Sequence, residues 1–522
     1  MTVPMPPSIA LAKAIAAAMK IDGKEYPLVE IRTTGDLLLE VCFRNTSQLY
    51  KSIPKDALPV LRAKKLPISS PKIFYRVRLE TLQKNSGYFK VLLKSQFAEA
   101  VAVADKFKQL TESGLNPSEV EAHQLPCVKI VDEDTTTKTL GRENIFRDML
   151  RIIHGAVSVT QNALITYFNL PSQEPLTTPF TMHCLTVLVL MADRYDMLPF
   201  ISRHCQKTLL SHKYPPVPSD KNGEETLRQK ILVQLYTDKG PRFAASTKEL
   251  ILRGSLRWNG SDEPTGDEFQ TLWWDLPFNL EAELAYRRSC VLKTIASIQN
   301  QFLTLYSSRE RQCKLGYDSS SSCDSFQLGE MVKFLTRKGL LSLVPFQAVS
   351  PDDPEYLWPE AYTGDIEYLI GLLRQCPGYQ IDKNHSHCGL RTKLLPALDL
   401  IKSFIDSGIG VKLKHWDAGP SYDSWKPSVK AEKSVWIGNG DGEDVDITGR
   451  KPKEFDFALV KQRMGWGSGV DATVERECFT AEKWNWMTEI QSTTKTVGED
   501  NLALTVEDIR CAKHMTVPTL GR

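Results

Sequence analysis

Two stretches in the second half of the chain concentrate soft ligand atoms. The first, CKLGYDSSSSCDSFQLG, holds Cys313 and Cys323; the second, CPGYQIDKNHSHCGLR, holds Cys376, His385, His387 and Cys388. Thiolate sulfur and imidazole nitrogen are the donors zinc takes, and four of them in a tetrahedron make a structural site. The Ser, Asp, Asn and Gly around them favour turns, which lets side chains from separate segments converge. Cys313, Cys323 and Cys376 with one of His385, His387 or Cys388 would complete such a set. Neither stretch contains C-x-x-C, so the spacing is not that of a standard finger. The competing reading is that all six are turn and core residues joining helices.

Other chemistry is sparse. The chain has no G-x-x-x-x-G-K-[ST] phosphate loop, no H-E-x-x-H helix and no G-x-S-x-G elbow. Residues 438–442, GNGDG, lack a helical period after them and read as a turn. The acidic run NGDGEDVD departs from a calcium loop at two places. Asp444 stands where the loop needs glycine, and Arg450 where it needs a bidentate Glu. An enzyme built on the Cys/His residues would need them in an open, electropositive pocket. The expectation is therefore a protein that is not an enzyme.

The 522 residues carry a formal charge of +2, with Lys+Arg 65 against Asp+Glu 63. That balance makes no electrostatic case for nucleic acid or an anionic membrane surface, and no DNA-reading motif is visible. No apolar window is long enough for a membrane span. Residues 1–20 interrupt their apolar run with Lys13 and carry no Arg, so they read as an amphipathic helix over 9–19 behind a short tip rather than as a targeting signal. The 11 cysteines show no regular spacing and read as reduced thiols of the cytoplasm or nucleus. Cys42, Cys127, Cys184, Cys205 and Cys290 sit among apolar neighbours and are expected in cores.

Periodicity outlines the elements that would position these groups. Residues 35–43, GDLLLEVCF, predict a buried strand; 73–79 alternate, with Ile73, Tyr75, Val77 and Leu79 on one face; 127–131 predict a third strand. Residues 44–72 read as a polar loop and 100–124 as a charged helix and loop. Ser86 suits a helix N-cap ahead of Phe89, Leu92, Leu93 and Phe97. The helix at 142–154 ends at Gly155, 156–182 reads as an insertion, and Pro199 opens a helix after another at 184–195. A linker at 213–225 precedes helices at 226–258, 277–308, 326–341, 364–376 and 390–405. Six tryptophans then punctuate 413–498, an irregular segment that is either a loose lobe or a set of aromatic staples over the helices. Residues 499–522 read as a mobile tail.

The phrase IFYRVRLETLQKNSGYF at 73–89 and CLTVLVLMADRYDML at 184–198 resemble a BTB/POZ domain, in which a strand leads to a leucine and S-x-x-F, and a later helix ends in L-x-L-A-D-x-Y-x-M. The resemblance covers roughly 30–212, with longer loops at 44–72 and 156–182 and with Glu80-Thr81 where many relatives differ. The Cys/His phrases themselves resemble the helical region that follows the BTB domain in a group of fungal proteins, across most of 226–412. Together they imply an α+β architecture: a tip and helix at 1–29, a small BTB/POZ sheet with its helical cluster at 30–212, an all-α domain at 226–412, and the Trp-rich segment. They imply a protein-protein interaction module, with an N-terminal helix suited to homodimer formation. Some relatives recruit a cullin through a hydrophobic-x-Glu motif, and Phe97-Ala98-Glu99 stands at that place, which implies a substrate adaptor of a cullin-based ubiquitin ligase. The alternative is a dimeric scaffold or transcription-associated protein without a cullin.

Overall fold

The computed structural model describes residues 17–21, 23–44, 71–94, 96–133, 136–137, 139, 141–155, 181–206, 223–237, 240–258, 271–340, 362–416, 425, 453–464 and 472–487. Its first element corrects the sequence reading. Ala17–Ile21 is a strand, β1, paired antiparallel with β2, Lys24–Glu30, in the register Ile21 to Lys24. Between the two strands Gly23 is in a turn, with φ +75°. An Asp-Gly pair between extended arms is a strong hairpin signal, and here it overrides the helix propensity of the alanines. The rest of the expected 9–19 helix lies outside the described residues.

Strands β3, Leu37–Arg44, and β4, Lys72–Val77, are the two read from alternation. Helices α1, Leu79–Asn85, α2, Gly87–Leu92, and α3, Ala98–Glu112, follow, then β5, Cys127–Glu133. The five strands form one mixed sheet in the order β1-β2-β4-β3-β5, antiparallel at β1/β2 and β3/β4, parallel at β2/β4 and β3/β5. Helices α4, Arg142–Ile153, α5, Met182–Arg194, and α6, Leu198–His204, cover one face. Ile73, Tyr75 and Val77 point into that core, while Phe74 packs on the other face with Leu38, Leu110 and Leu125. β4 is thus buried on both sides. Most of the 44–72 loop and the 156–182 insertion fall outside the described residues.

The two phrases that carry the BTB resemblance meet in space. Ser86 caps α2 by accepting from the Phe89 N–H at 3.1 Å, and its hydroxyl donates to the Tyr195 carbonyl at 2.6 Å. Phe89 stacks on Tyr195 with ring centroids 6.2 Å apart, and Phe146 sits edge-on to Tyr195 at 5.4 Å. Each of these rings is worth about 1.5–3 kcal/mol in burial alone. Sequence periodicity did not anticipate the polar clasp at β5: buried Asp132 takes the guanidinium groups of Arg142 and Arg194, each at 2.8 Å.

Helix α7, Gly223–Tyr236, begins inside the stretch read as a linker, and the remainder of that linker lies outside the described residues. It packs on α5, sending Val233 into the sheet's core and Leu232 against Trp273 and Trp274. Helices α8, Gly240–Arg253, α9, Leu280–Ser307, α10, Ser320–Arg337, α11, Ile366–Arg374, and α12, Leu390–Gly408, build the second core, with a short α13 at Leu413–Trp416. Arg288 from α9 ties it together by donating to the carbonyls of Ile251, Leu252, Tyr362 and Gly364. The same guanidinium lies against Gly254, whose φ of +81° and crowded Cβ position leave room for no side chain.

Of the two readings left open for the Trp-rich segment, staples describe the residues that are placed. Strand β6, Glu454–Asp456, helices α14, Phe457–Met464, and α15, Ala472–Phe479, and strand β7, Lys483–Asn485, join the second core. Trp486 is fully buried and donates its indole N–H to Ser297 at 2.8 Å; Trp425 stacks on Phe479 at 5.3 Å. Trp416 is buried too, whereas Trp436 and Trp466, like the 499–522 tail, are outside the described residues. Cys205 and Cys290 are core residues, Cys42 and Cys184 are half-buried, and Cys127 is exposed on the outer face of edge strand β5, against expectation. An edge strand with one solvated face shows every second residue to water whatever its polarity.

Candidate metal centre

Helix α10 starts six residues earlier than its apolar pattern predicts, so Cys323 lies in its first turn rather than in a loop. The chain ahead of it is pinned by Asp324, whose carboxylate accepts the N–H groups of Gln312 at 2.7 Å and Cys313 at 3.0 Å. This folds the 313–319 segment back over the helix start. Gly316 makes the reversal at φ +75°, a conformation that L side chains disfavour. On the other side, Asp382 caps a single 3-10 turn, Lys383–His385, through the Asn384 N–H at 2.8 Å. Cys388 follows, its N–H donating to the His385 carbonyl and its own carbonyl accepting the Tyr306 hydroxyl at 3.0 Å.

These two devices bring Cys313, Cys323, His385 and Cys388 together, with one ligand atom from each all within 4.8 Å of one another. The thiols of Cys313 and Cys388 are 3.8 Å apart, and His385 Nδ1 lies 3.5 Å from Cys313 Sγ and 3.6 Å from Cys388 Sγ. A tetrahedral zinc with Zn–S of ~2.3 Å and Zn–N of ~2.0 Å has S–S edges of about 3.8 Å and S–N edges of about 3.5 Å. The donor set fits the ion in type and number, and the three edges among Cys313, Cys388 and His385 fit it in spacing. Cys313, Cys323 and His385 are buried and Cys388 is half-buried; four protein donors would fill a tetrahedral ion, whereas a catalytic zinc keeps its fourth position for water or substrate.

The remaining two candidates are elsewhere. Cys376 lies two residues past the end of α11 inside the apolar core, its thiol 3.7 Å from the Pro377 carbonyl. His387 is exposed. The six-residue set therefore resolves to four, with both His385 and Cys388 present rather than one of them.

Electrostatics separate the thiols. Burial acts to raise Cys313, but hydrogen bonds from the Leu315 backbone, Ser320, Cys388 and Cys323 outweigh it and hold it below its ordinary value. Burial, then the neighbouring sulfurs, push Cys323 well up. Burial also raises Cys388. A divalent ion would remove the mutual repulsion and deprotonate all three.

Sequence reasoning missed the residues that hold the ligands. Ser319 Oγ lies 3.0 Å from His385 Nε2 and donates to Asp382 Oδ2 at 2.5 Å. Ser319 was hidden in a serine run, and only the D-x-x-H spacing of Asp382 and His385 could have flagged the second. Phe97 and Glu99 are at the start of α3: Phe97 is its half-buried N-cap residue and Glu99 is exposed in the first turn. Compared with known proteins, the chain matches no family model, no curated protein and no solved structure.

Proposed function

We propose that this chain is a non-enzymatic protein-interaction module of the BTB/POZ type whose helical second half is stapled by one structural zinc ion. The zinc reading is supported by the Cys3His set, whose edges among Cys313, Cys388 and His385 have tetrahedral lengths. Such an ion stabilises a fold and leaves no coordination position for a substrate.

The interaction reading is carried by the surface around α2 and α3. Tyr88 is 38% exposed, Val91 46% and Val101 48%. Glu99 is exposed in the first turn of α3, two positions before Val101. Exposed apolar side chains set among Lys90, Lys94 and Glu99 suit a partner helix that carries an apolar stripe with charges at its edge. In the adaptor reading that partner is a cullin, Phe97 and Glu99 belong to the contact, and the helical half holds the client. Among the described residues no helix is long and apolar enough to cross a membrane, and we assign the module to the cytoplasm or nucleus.

Cullin capture by the full chain, measured together with the melting temperature, tests this. Wild type binds, and Glu99→Lys slows association while leaving stability within about 0.5 kcal/mol, as expected for an exposed charge. Capture that Glu99→Lys leaves unchanged overturns the assigned surface. No capture at all, with a homodimer by light scattering, selects the dimeric scaffold instead.

A further inference from the structure

A metal-binding histidine must present a lone pair, and something must decide which of its two nitrogens does so. At His385 the proton inventory of its neighbours makes that decision. The carboxylate of Asp382 takes the Ser319 hydroxyl at 2.5 Å on one oxygen and the Asn384 N–H at 2.8 Å on the other, so it accepts and does not donate. The single hydroxyl proton of Ser319 is therefore spent on Asp382 Oδ2, 2.5 Å away. Ser319 Oγ, 3.0 Å from His385 Nε2, is left with lone pairs only toward the ring. Nε2 must carry the proton and donate it. Nδ1 then holds the free lone pair, and Nδ1 is the atom that faces Cys313 and Cys388 at 3.5 and 3.6 Å.

We infer that Ser319 and Asp382 form an oriented relay that locks His385 in the Nε2-protonated form, making Nδ1 the fourth metal donor, and so sets the affinity of the site. The inference rests on the zinc reading above. Both are positioning residues, since neither reaches the four donor atoms. The tilt of the Tyr317 ring, 5.8 Å from the imidazole, limits rotation of the same side chain. The polarity of the relay matters as well as its presence. A carboxylate at its far end makes the imidazole a better donor to the cation, as in the carboxylate–histidine–metal arrangements where the outer partner governs affinity.

Asp382→Asn is the sharpest variant. The amide keeps an oxygen for the Asn384 N–H, so the turn cap survives, while its NH2 can donate to Ser319. The serine proton is then free to turn toward Nε2, which favours the wrong tautomer for Nδ1 ligation. Zinc affinity is measured on the full chain by competition with a chromophoric chelator, and cobalt(II) absorption reports the donor set. Asp382→Asn and Ser319→Ala should each bind zinc roughly 10–100-fold more weakly than wild type. Ser319→Thr, which keeps the hydroxyl, should stay within a few-fold. Saturated with cobalt, Asp382→Asn should show the wild-type tetrahedral thiolate spectrum, and its metal-free melting temperature should match that of metal-free wild type. A purely structural role would instead lower the metal-free melting temperature and leave the affinity alone. Zinc affinities of Asp382→Asn and Ser319→Ala within twofold of wild type overturn the relay while the site stands. Wild type that binds neither zinc nor cobalt overturns the site itself.

Discussion

The sheet-bearing half and the helical half solve the same problem with different materials. Around β3, β4 and α4 the structure is held by apolar burial: Phe43, Phe89, Phe146 and Tyr75 are all fully enclosed in one continuous core. Where the chain passes from α9 into α10, and from α11 into α12, few apolar groups are available. There, ordering falls to three thiols, an imidazole and the carboxylates of Asp324 and Asp382. The first arrangement also joins distant segments, β3 to β5 and Phe89 to Tyr195, but does so largely through apolar groups that a chelator does not touch. The second works only when segments from 62 residues apart (Cys323 and His385) to 75 residues apart (Cys313 and Cys388) have met, and it depends on the ionisation of its members.

Removing a ring from the first half should produce the largest effect. Phe146→Ala empties the centre of the aromatic cluster, and a cost of about 3–5 kcal/mol is expected in the urea midpoint, with zinc content unchanged in the molecules that remain folded. A smaller and pH-dependent effect distinguishes the second half. Burial, opposed by the Ser407 hydroxyl and by Lys412, Arg287 and Arg476, lifts Glu475 from 4.5 to about 7. Because the folded state holds this proton more tightly than the unfolded chain, the stability it contributes is complete below pH 4.5 and disappears as pH rises through about 7. Glu475→Gln should therefore match wild type near pH 4.5 and exceed it by about 3 kcal/mol at pH 8, read from paired denaturation curves. Equal stabilities at both pH values would contradict the buried-carboxyl account.

Ser86→Ala comes next. It removes the α2 cap and the donor to the Tyr195 carbonyl, and about 1–2 kcal/mol should be lost. The smallest effect belongs to His387→Ala, an exposed side chain between the ligands His385 and Cys388. Stability within about 0.5 kcal/mol and an unaltered metal content are expected, whereas loss of metal would reinstate it in the donor set.

How much of this could be read from residues alone follows the same division. Strands β3, β4 and β5 stood out because a buried strand needs uninterrupted or alternating apolar residues, and the Ser86 cap because its side-chain oxygen has one local use. The N-terminal hairpin was misread because alanines favour a helix in isolation, while strand pairing with β4 is a tertiary matter. Cys313, Cys323, His385 and Cys388 were visible as ligand types, but their selection over Cys376 and His387 was not. That choice turns on where α11 ends and on one 3-10 turn, and neither leaves a periodic trace. The clasp of Asp132 with Arg142 and Arg194 and the anchor of Arg288 on four carbonyls were equally silent, since a charged residue in sequence looks like a solvated one.

Hydrogen exchange of the full chain, with zinc bound and after chelation, tests the central contrast most directly. On chelation, amides within 312–323 and 383–390 should lose protection, while those in β3, β4 and β5 keep theirs. Unchanged exchange across both metal-site segments, or loss of protection spread equally over the sheet, would contradict a metal that staples the helical half alone.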